Sequence, residues 1–311
     1  MRKCKIAGYG YYLPKQKVRF GNQTRYRAND MIETQLFMAT KAVEKAIDNA
    51  SLSMQDIDLL VSASAVGIQP IPCTAALIHE QVFNGLDIPA MDINTTCTSF
   101  ITALDIVSYL IDAGRYRNVV IVSSELASPA LPKDEKELFE LFSDGAVAMV
   151  VSKTSNRNQG VIAAKQCTWS ESAHATEIVG GLTGLNATKF NENNSRDYFF
   201  KMEGLDILRA CTRKLPVMFN EFMQEYDISL DDVDMVIPHQ ASKALSLIMK
   251  RLKIPTEKYV DLVSEYGNQV SVSVPFMMCK MMKVGKIKTG DKVMLCGTAA
   301  GLTSNILLME V

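Results

Sequence analysis

Residues 53–61 read SMQDIDLLV, and residues 229–237 read SLDDVDMVI. Each stretch opens on a serine with an acid three residues later, the pattern of a capping box around a short helical turn. Each continues with an aspartate and a four-residue apolar run of strand length. Each also follows a helix-like segment. Ala39, Ala42, Val43, Ala46 and Ile47 recur at helical spacing before the first, and Leu215, Met218, Phe219 and Phe222 before the second. A further echo pairs GRYRNVVIVSSE (114–125) with GKIKTGDKVMLCGT (285–298): a helix-ending glycine, a polar turn and a buried strand. Two echoes in the same order, at similar separation, point to a duplicated chain with halves 1–154 and 155–311. Aligning Gly114 with Gly285 sets Asn268 opposite Cys97.

Apolar strands that alternate with helices imply an α/β architecture in which the two halves pack together. Bulk properties narrow the function. Of the 311 residues 48% are hydrophobic and 22% charged, which suits a large core and excludes disorder. A formal net charge of −1 gives no reason to expect nucleic acid or an anionic membrane as partner. The seven cysteines are odd in number, scattered and never arranged as CxxC, so a reducing cytoplasm fits better than a disulfide framework. The opening MRKCKIAGYGYYLP is broken by glycines and Pro14, unlike a signal peptide, and no apolar run reaches spanning length.

In such a fold chemistry gathers at the carboxyl ends of strands. Three apolar runs end in polar motifs: AMDIN leads to Thr95-Thr96-Cys97, DMVIP to His239-Gln240, and KVMLC to Gly297-Thr298-Ala299-Ala300-Gly301. Cys97 precedes a helix whose apolar face includes Ile101, Leu104, Val107 and Ile111, so its thiol is expected near the positive end of the helix dipole. Taken alone, a free cysteine is more often simply buried. A histidine at a strand end and an asparagine in YGNQVS are, taken alone, structure and turn chemistry. His79, His174 and Cys73 match no metal-ligand spacing, and GYG at 8–10 lacks the third glycine and the helix of a dinucleotide fingerprint.

Together, Cys97, PHQAS with His239, YGNQVSVSVP with Asn268, FSDGAVAMVV and the terminal GTAAGLTSNILL resemble the ketoacyl synthase III family of the thiolase fold. The resemblance runs over nearly the whole chain. It implies a five-layered α-β-α-β-α sandwich of two similar halves, and a decarboxylative Claisen condensation in fatty-acid or secondary metabolism. Cys97 would take an acyl group from an acyl-CoA or acyl-carrier-protein thioester. His239 and Asn268 would hold the oxygen of a malonyl thioester as carbon dioxide leaves, each donor worth roughly 3 kcal/mol. The backbone N–H groups of Cys97 and Ala300 would form a second oxyanion hole. No cofactor or metal is implied. The resemblance also implies a homodimer, with a residue near Ile71 reaching toward the neighbouring pocket.

Departures from the family bear on substrate. VRFGNQTRYRAND is shorter than usual and lacks the tryptophan that stacks on coenzyme A adenine; the single tryptophan, Trp169, lies elsewhere. Lys136 stands where the family has an arginine. Lys243, Lys250 and Arg251 are the nearest candidates for docking a carrier protein, or else form a solvated helix face. The retained Asn268 favours condensation over the alternative of a non-decarboxylating acyltransferase acting on an alcohol or amine. The intact triad argues against an inactive subunit.

Overall fold

The computed structural model describes residues 1–311. The chain begins with strand β1 (Cys4–Tyr12), a hairpin of β2 (Gln16–Phe20) and β3 (Gln23–Arg27), and helix α1 (Gln35–Asn49). It continues through β4 (Leu59–Ser62), α2 (Thr74–Val82), β5 (Ala90–Asp92), α3 (Ser99–Asp112), β6 (Asn118–Glu125), α4 (Lys136–Phe139) and β7 (Gly145–Lys153). Then come β8 (Gly160–Thr168), a small ladder of β9 (Thr176–Glu177) with β10 (Lys201–Met202), and α5 (Gly204–Glu225). The chain closes with β11 (Met235–Pro238), α6 (Leu245–Arg251), α7 (Val263–Tyr266), α8 (Ser273–Lys283), β12 (Lys292–Ala299) and β13 (Thr303–Glu310).

Two sheets share one strand plan, β1-β7-β6-β4-β5 and β8-β13-β12-β11. In both, one pair is parallel, β4 with β6 and β11 with β12, and two antiparallel strands follow on one side, β7 and β1 or β13 and β8; the first sheet adds β5, parallel to β4. A lone parallel bridge between Val236 and Tyr259 stands where the second sheet would otherwise have its β5.

Successive strand residues face opposite ways, so an unbroken apolar run supplies two cores at once. Val119 and Ile121 of β6 join Val147, Met149 and Val151 of β7 against α3 and α8, while Val120, Val122, Ala146, Ala148 and Val150 pack on α1. The second sheet repeats this. Val293, Leu295, Leu307 and Met309 face α3 and α8, and Met294, Cys296, Ile306 and Leu308 face α5 and α6. The result is five layers, α-β-α-β-α, as the family resemblance implies. Ile101, Leu104, Val107 and Ile111 of α3 are all buried in the middle layer. Gly8 and Gly10 serve packing: a Cβ at either would run into the α1 backbone at Ala42, Ala46 or Ala50.

Repetition extends to single hydrogen bonds. Ser53 N–H donates to Asp56 at 2.8 Å and Ser229 N–H to Asp232 at 2.9 Å, each capping a short 3-10 turn. Asp58 accepts the Asn118 N–H at 2.9 Å, and Asp234 that of Lys292 at 2.8 Å. Thr95 N–H donates to Ser99 Oγ and Gln269 N–H to Ser273 Oγ, both at 3.0 Å. Thr96 N–H donates to Asn94 Oδ1 and Val270 N–H to Asn268 Oδ1, both at 2.8 Å. Thus Asn268 is the counterpart of Asn94, and Ser271 is the counterpart of Cys97. This corrects the alignment drawn from the helix-ending glycines. The helix α3 has 14 residues and α8 has 11, so an alignment anchored at their carboxyl ends slips by almost one turn at the amino ends.

Candidate active site

Cys97 sits in a 3-10 turn, Thr96–Thr98, that leads into α3. Thr96 has φ 51, a left-handed conformation that costs a β-branched residue on the order of 1 kcal/mol. The Asn94 side chain holds it there through the Thr96 N–H, and Asn94 Nδ2 donates in turn to Ala65 O at 2.9 Å. The backbone N–H groups of Cys97 and Ala300 both lie close enough to the Cys97 sulfur to pull its pKa down. One comes from the turn itself, the other from the loop joining β12 to β13. Thr96 Oγ1 also donates to Ala300 O at 3.4 Å, tying that loop to the turn.

These donors do not make the resting side chain a thiolate. Burial, followed by the negative charge of Glu125, pushes the thiol up to about 12, against the smaller downward pull of the two N–H groups. The expected stabilisation at a helix amino end is therefore overturned in the free protein. Desolvation outweighs the backbone dipoles, and no cation stands by to offset it.

His239 follows β11, and its N–H donates to Cys296 O at 2.8 Å, continuing the parallel ladder with β12 by one step. The ring is buried, and burial alone lowers its pKa to about 4. It is a neutral imidazole at physiological pH. Gly297 is what lets it sit there: a Cβ on that residue would lie 2.8 Å from the His239 Cβ and 3.4 Å from Thr98 Cγ2. Bare backbone at this point lets His239 and the Cys97 turn close together over the same face of one strand residue.

Asn268 is fixed at every polar atom. Its peptide N–H donates to Leu141 O at 2.9 Å, and its carbonyl accepts the Ser143 N–H at 2.8 Å. Its Oδ1 takes the Val270 N–H, and Nδ2 donates one hydrogen to Ala241 O at 3.1 Å. An amide nitrogen carries two hydrogens, so one remains. The turn that follows, Val270–Val272, packs directly on the Cys97 turn.

Two residues here were not among the sequence candidates. Glu125 ends β6 and is buried; its Oε1 accepts the Ala65 N–H at 2.6 Å and the Ser271 hydroxyl. Burial pushes its carboxyl up to about 7 despite these donors. The available signal was an acid closing the run VVIVSSE, since an unpaired carboxylate at a buried strand end is expensive. Ser271 carried no signal until the pseudo-symmetry was known.

The basic candidates are dispersed. Lys136 is exposed on α4 and pairs with Glu140 at 3.8 Å. Lys243 borders an open cleft of about 620 Å³ with Asn22, Gln23, Thr256, Tyr259 and Asp261. Lys250 borders an adjoining cleft that shares Thr256 and Tyr259, and Arg251 ends α6. Trp169 packs against the outer core of the second sheet. No helix is long and apolar enough to cross a membrane.

Five layers built from two like halves define a thiolase-fold enzyme. Residues 91–169 match the family described as 3-oxoacyl-[acyl-carrier-protein (ACP)] synthase III, and residues 223–311 match its C-terminal counterpart. The β-ketoacyl-[acyl-carrier-protein] synthase III of Clostridium perfringens strain ATCC 13124 is 30% identical over 330 residues, covering all of both chains. That of Aquifex aeolicus is 29% identical over 325 residues, covering 98% of this chain and 99% of its own. The Aquifex aeolicus crystal structure superposes with a TM-score of 0.87 at 27% identity, over 99% of this chain and 100% of that one. The chain belongs to the 3-oxoacyl-[acyl-carrier-protein] synthase III family, and it is a condensing enzyme that makes a 3-oxoacyl thioester.

Proposed function

We propose that Cys97 accepts the starter acyl group, that His239 and Asn268 hold the malonyl thioester oxygen, and that the Cys97 and Ala300 N–H groups form the second oxyanion hole. The observation that carries this reading is the pair of N–H groups, one from each half, that lie beside the Cys97 sulfur and lower its pKa. A thioester carbonyl placed there accepts both hydrogen bonds as the sulfur attacks. The Cys97 proton leaves with the departing thiol, and acyl-Cys97 remains.

The malonyl thioester follows. Its bond to the carboxylate carbon breaks, carbon dioxide leaves, and the electron pair stays behind as a thioester enolate. The neutral His239 ring and the remaining Asn268 N–H stabilise the enolate oxygen without surrendering a proton. The carbanion attacks acyl-Cys97, and the new oxyanion occupies the N–H pair. Collapse releases the 3-oxoacyl thioester, and Cys97 recovers the proton that decarboxylation consumes overall. On this reading the enzyme is an acyltransferase of the condensing type and uses no cofactor.

Acyl-CoA or an acyl carrier protein delivers the starter, and a malonyl thioester extends it. An acidic carrier would dock near Lys243, Lys250 and Arg251, with Lys136 as a separate substrate contact. We also propose a homodimer that pairs through the edge strand β5, where Met91 is exposed, with the exposed Ile71 extending toward the partner's pocket. Seven free cysteines suit a cytoplasmic setting.

Intact mass spectrometry after mixing with a panel of acyl-CoA and acyl-carrier-protein thioesters tests the assignment, with Cys97→Ser as control. An adduct on the wild type alone, discharged by malonyl thioester to a 3-oxoacyl product, is the expected result. An adduct that malonyl thioester cannot discharge would instead indicate transfer to an alcohol or amine.

A further inference from the structure

Glu125 is a buried carboxyl that the proposed chemistry leaves without a task. It stands where three functional segments meet. Its Oε1 accepts the N–H of Ala65, whose carbonyl holds Asn94, the residue that maintains the Cys97 turn. The same oxygen takes the hydroxyl of Ser271, in the turn that presents Asn268. Its charge acts directly on the Cys97 thiol, the only titratable neighbour that does so.

The pseudo-symmetry sharpens the point. Ser271 occupies in the second half the place that Cys97 occupies in the first, following the same Asn-capped, left-handed residue. One turn therefore points a nucleophile into the site, and its twin points a hydroxyl at Glu125. The residue matching Glu125 in the second half, at the end of β12, is Ala299, so the carboxyl is not a relic of the repeated architecture.

We propose that Glu125 is a positioning residue of the condensing reaction: through Ser271 it locks the turn carrying Asn268, and its charge governs how readily Cys97 becomes a thiolate. This rests on the assignment of Cys97 and Asn268 above. Other ionisable groups around it are few. His239 faces the site from β11 as a neutral ring. Asp144, before β7, is turned away toward Ala28, Ser128 and Arg27. The β4 loop approaches with backbone N–H groups of Ala65 and Val66, and the Asn268 turn with Ser271.

Two readouts on the full-length enzyme separate the parts of the proposal. The first is the rate of Cys97 alkylation by iodoacetamide from about pH 5 to 9, two units either side of the carboxyl's raised value near 7. The second is decarboxylation of a malonyl thioester. In the wild type, the logarithm of the alkylation rate should climb with pH, flatten as Glu125 ionises near 7, then climb again. Glu125→Gln should abolish the flattening, raise the rate above it about tenfold, and slow decarboxylation. Ser271→Ala should slow decarboxylation while the flattening persists.

An unchanged alkylation profile in Glu125→Gln overturns the proposal, as does an equal change in Ser271→Ala. If Glu125→Gln does not fold, Glu125→Asp decides: it keeps the charge, so the flattening must survive while decarboxylation falls, and its disappearance counts against the proposal. A wild type that never decarboxylates malonyl thioester would sink the functional assignment instead, and the alkylation profiles would still judge the link between Glu125 and Cys97.

Discussion

The Cys97 turn and the Asn268 turn are the same object built twice. Both hold a non-glycine residue at φ near 50, Thr96 at 51 and Val270 at 53. Both trap that residue's N–H with an asparagine two positions earlier, and both anchor the asparagine's amide on an alanine carbonyl, Ala65 or Ala241. What differs, on the proposed chemistry, is which position meets substrate. In the first half it is the residue after the strained one, Cys97. In the second half it is the asparagine itself, while the position matching Cys97 holds Ser271. His239 has a similarly plain twin: Ala63 stands two residues before Ala65, as His239 stands before Ala241. A strained turn at a strand end is thus a general display device, and the two halves use different positions of it for different tasks.

The sharpest test of this comparison sets Asn268→Ala beside Asn94→Ala. Loss of an oxyanion donor should slow malonyl decarboxylation about 10²- to 10³-fold in the first. The second loses the same turn hydrogen bonds with no donor to substrate, so its decarboxylation should stay within about tenfold of wild type, accompanied by a loss of stability of about 1–2 kcal/mol. Equal damage to catalysis would mean that Asn268 only builds its turn.

A steric probe comes next. Gly297→Ala places a Cβ against His239 and Thr98. It should cut decarboxylation by about tenfold while Cys97 acylation, read by intact mass, changes less.

Stability against pH separates two buried groups of opposite sense. His239 is lowered to about 4, so its contribution is present above the unfolded value near 6.5 and is lost as pH falls toward 4. Glu125 is raised to about 7, so its contribution is present below about 4.5 and is lost as pH climbs through 7. Each spans on the order of 3 kcal/mol, and between about pH 4.5 and 6.5 the two slopes oppose each other. Urea midpoints should show it. Glu125→Gln should lose stability on acidification more steeply than wild type, and His239→Asn should gain it.

The smallest effect belongs to the repeated caps. Ser53→Ala and Ser229→Ala should each cost about 1 kcal/mol in thermal unfolding, and a large inequality would show that the two turns have diverged in more than side chain.

Much of this was legible beforehand. The apolar periods of α1, α3 and α5 read correctly because each helix buries one stripe. The repeated serine–acid turns were equally clear, since a capping box is local chemistry. The pairing of Asn268 with Cys97 was not, because α8 lost three residues relative to α3 and no residue marks the deletion. Nor was the protonation of Cys97. A helix amino end is visible in sequence, but the desolvation that opposes it is a property of the assembled site. Glu125 escaped for the same reason: its partners Ala65 and Ser271 lie far away in the chain and contribute a backbone group and a common hydroxyl.

The proposed oxyanion pair at Cys97 draws one N–H from its own turn and one from Ala300, near the far end of the chain. On that reading the reactive turn is complete only when the end of the chain is in place. A nascent chain that has folded only its first sheet carries the thiol, but none of the histidine, the second asparagine or the Ala300 amide that the proposed chemistry calls on. The proposed site is whole only when the last strands, β12 and β13, have closed the second sheet, so its assembly and the completion of the fold are one event.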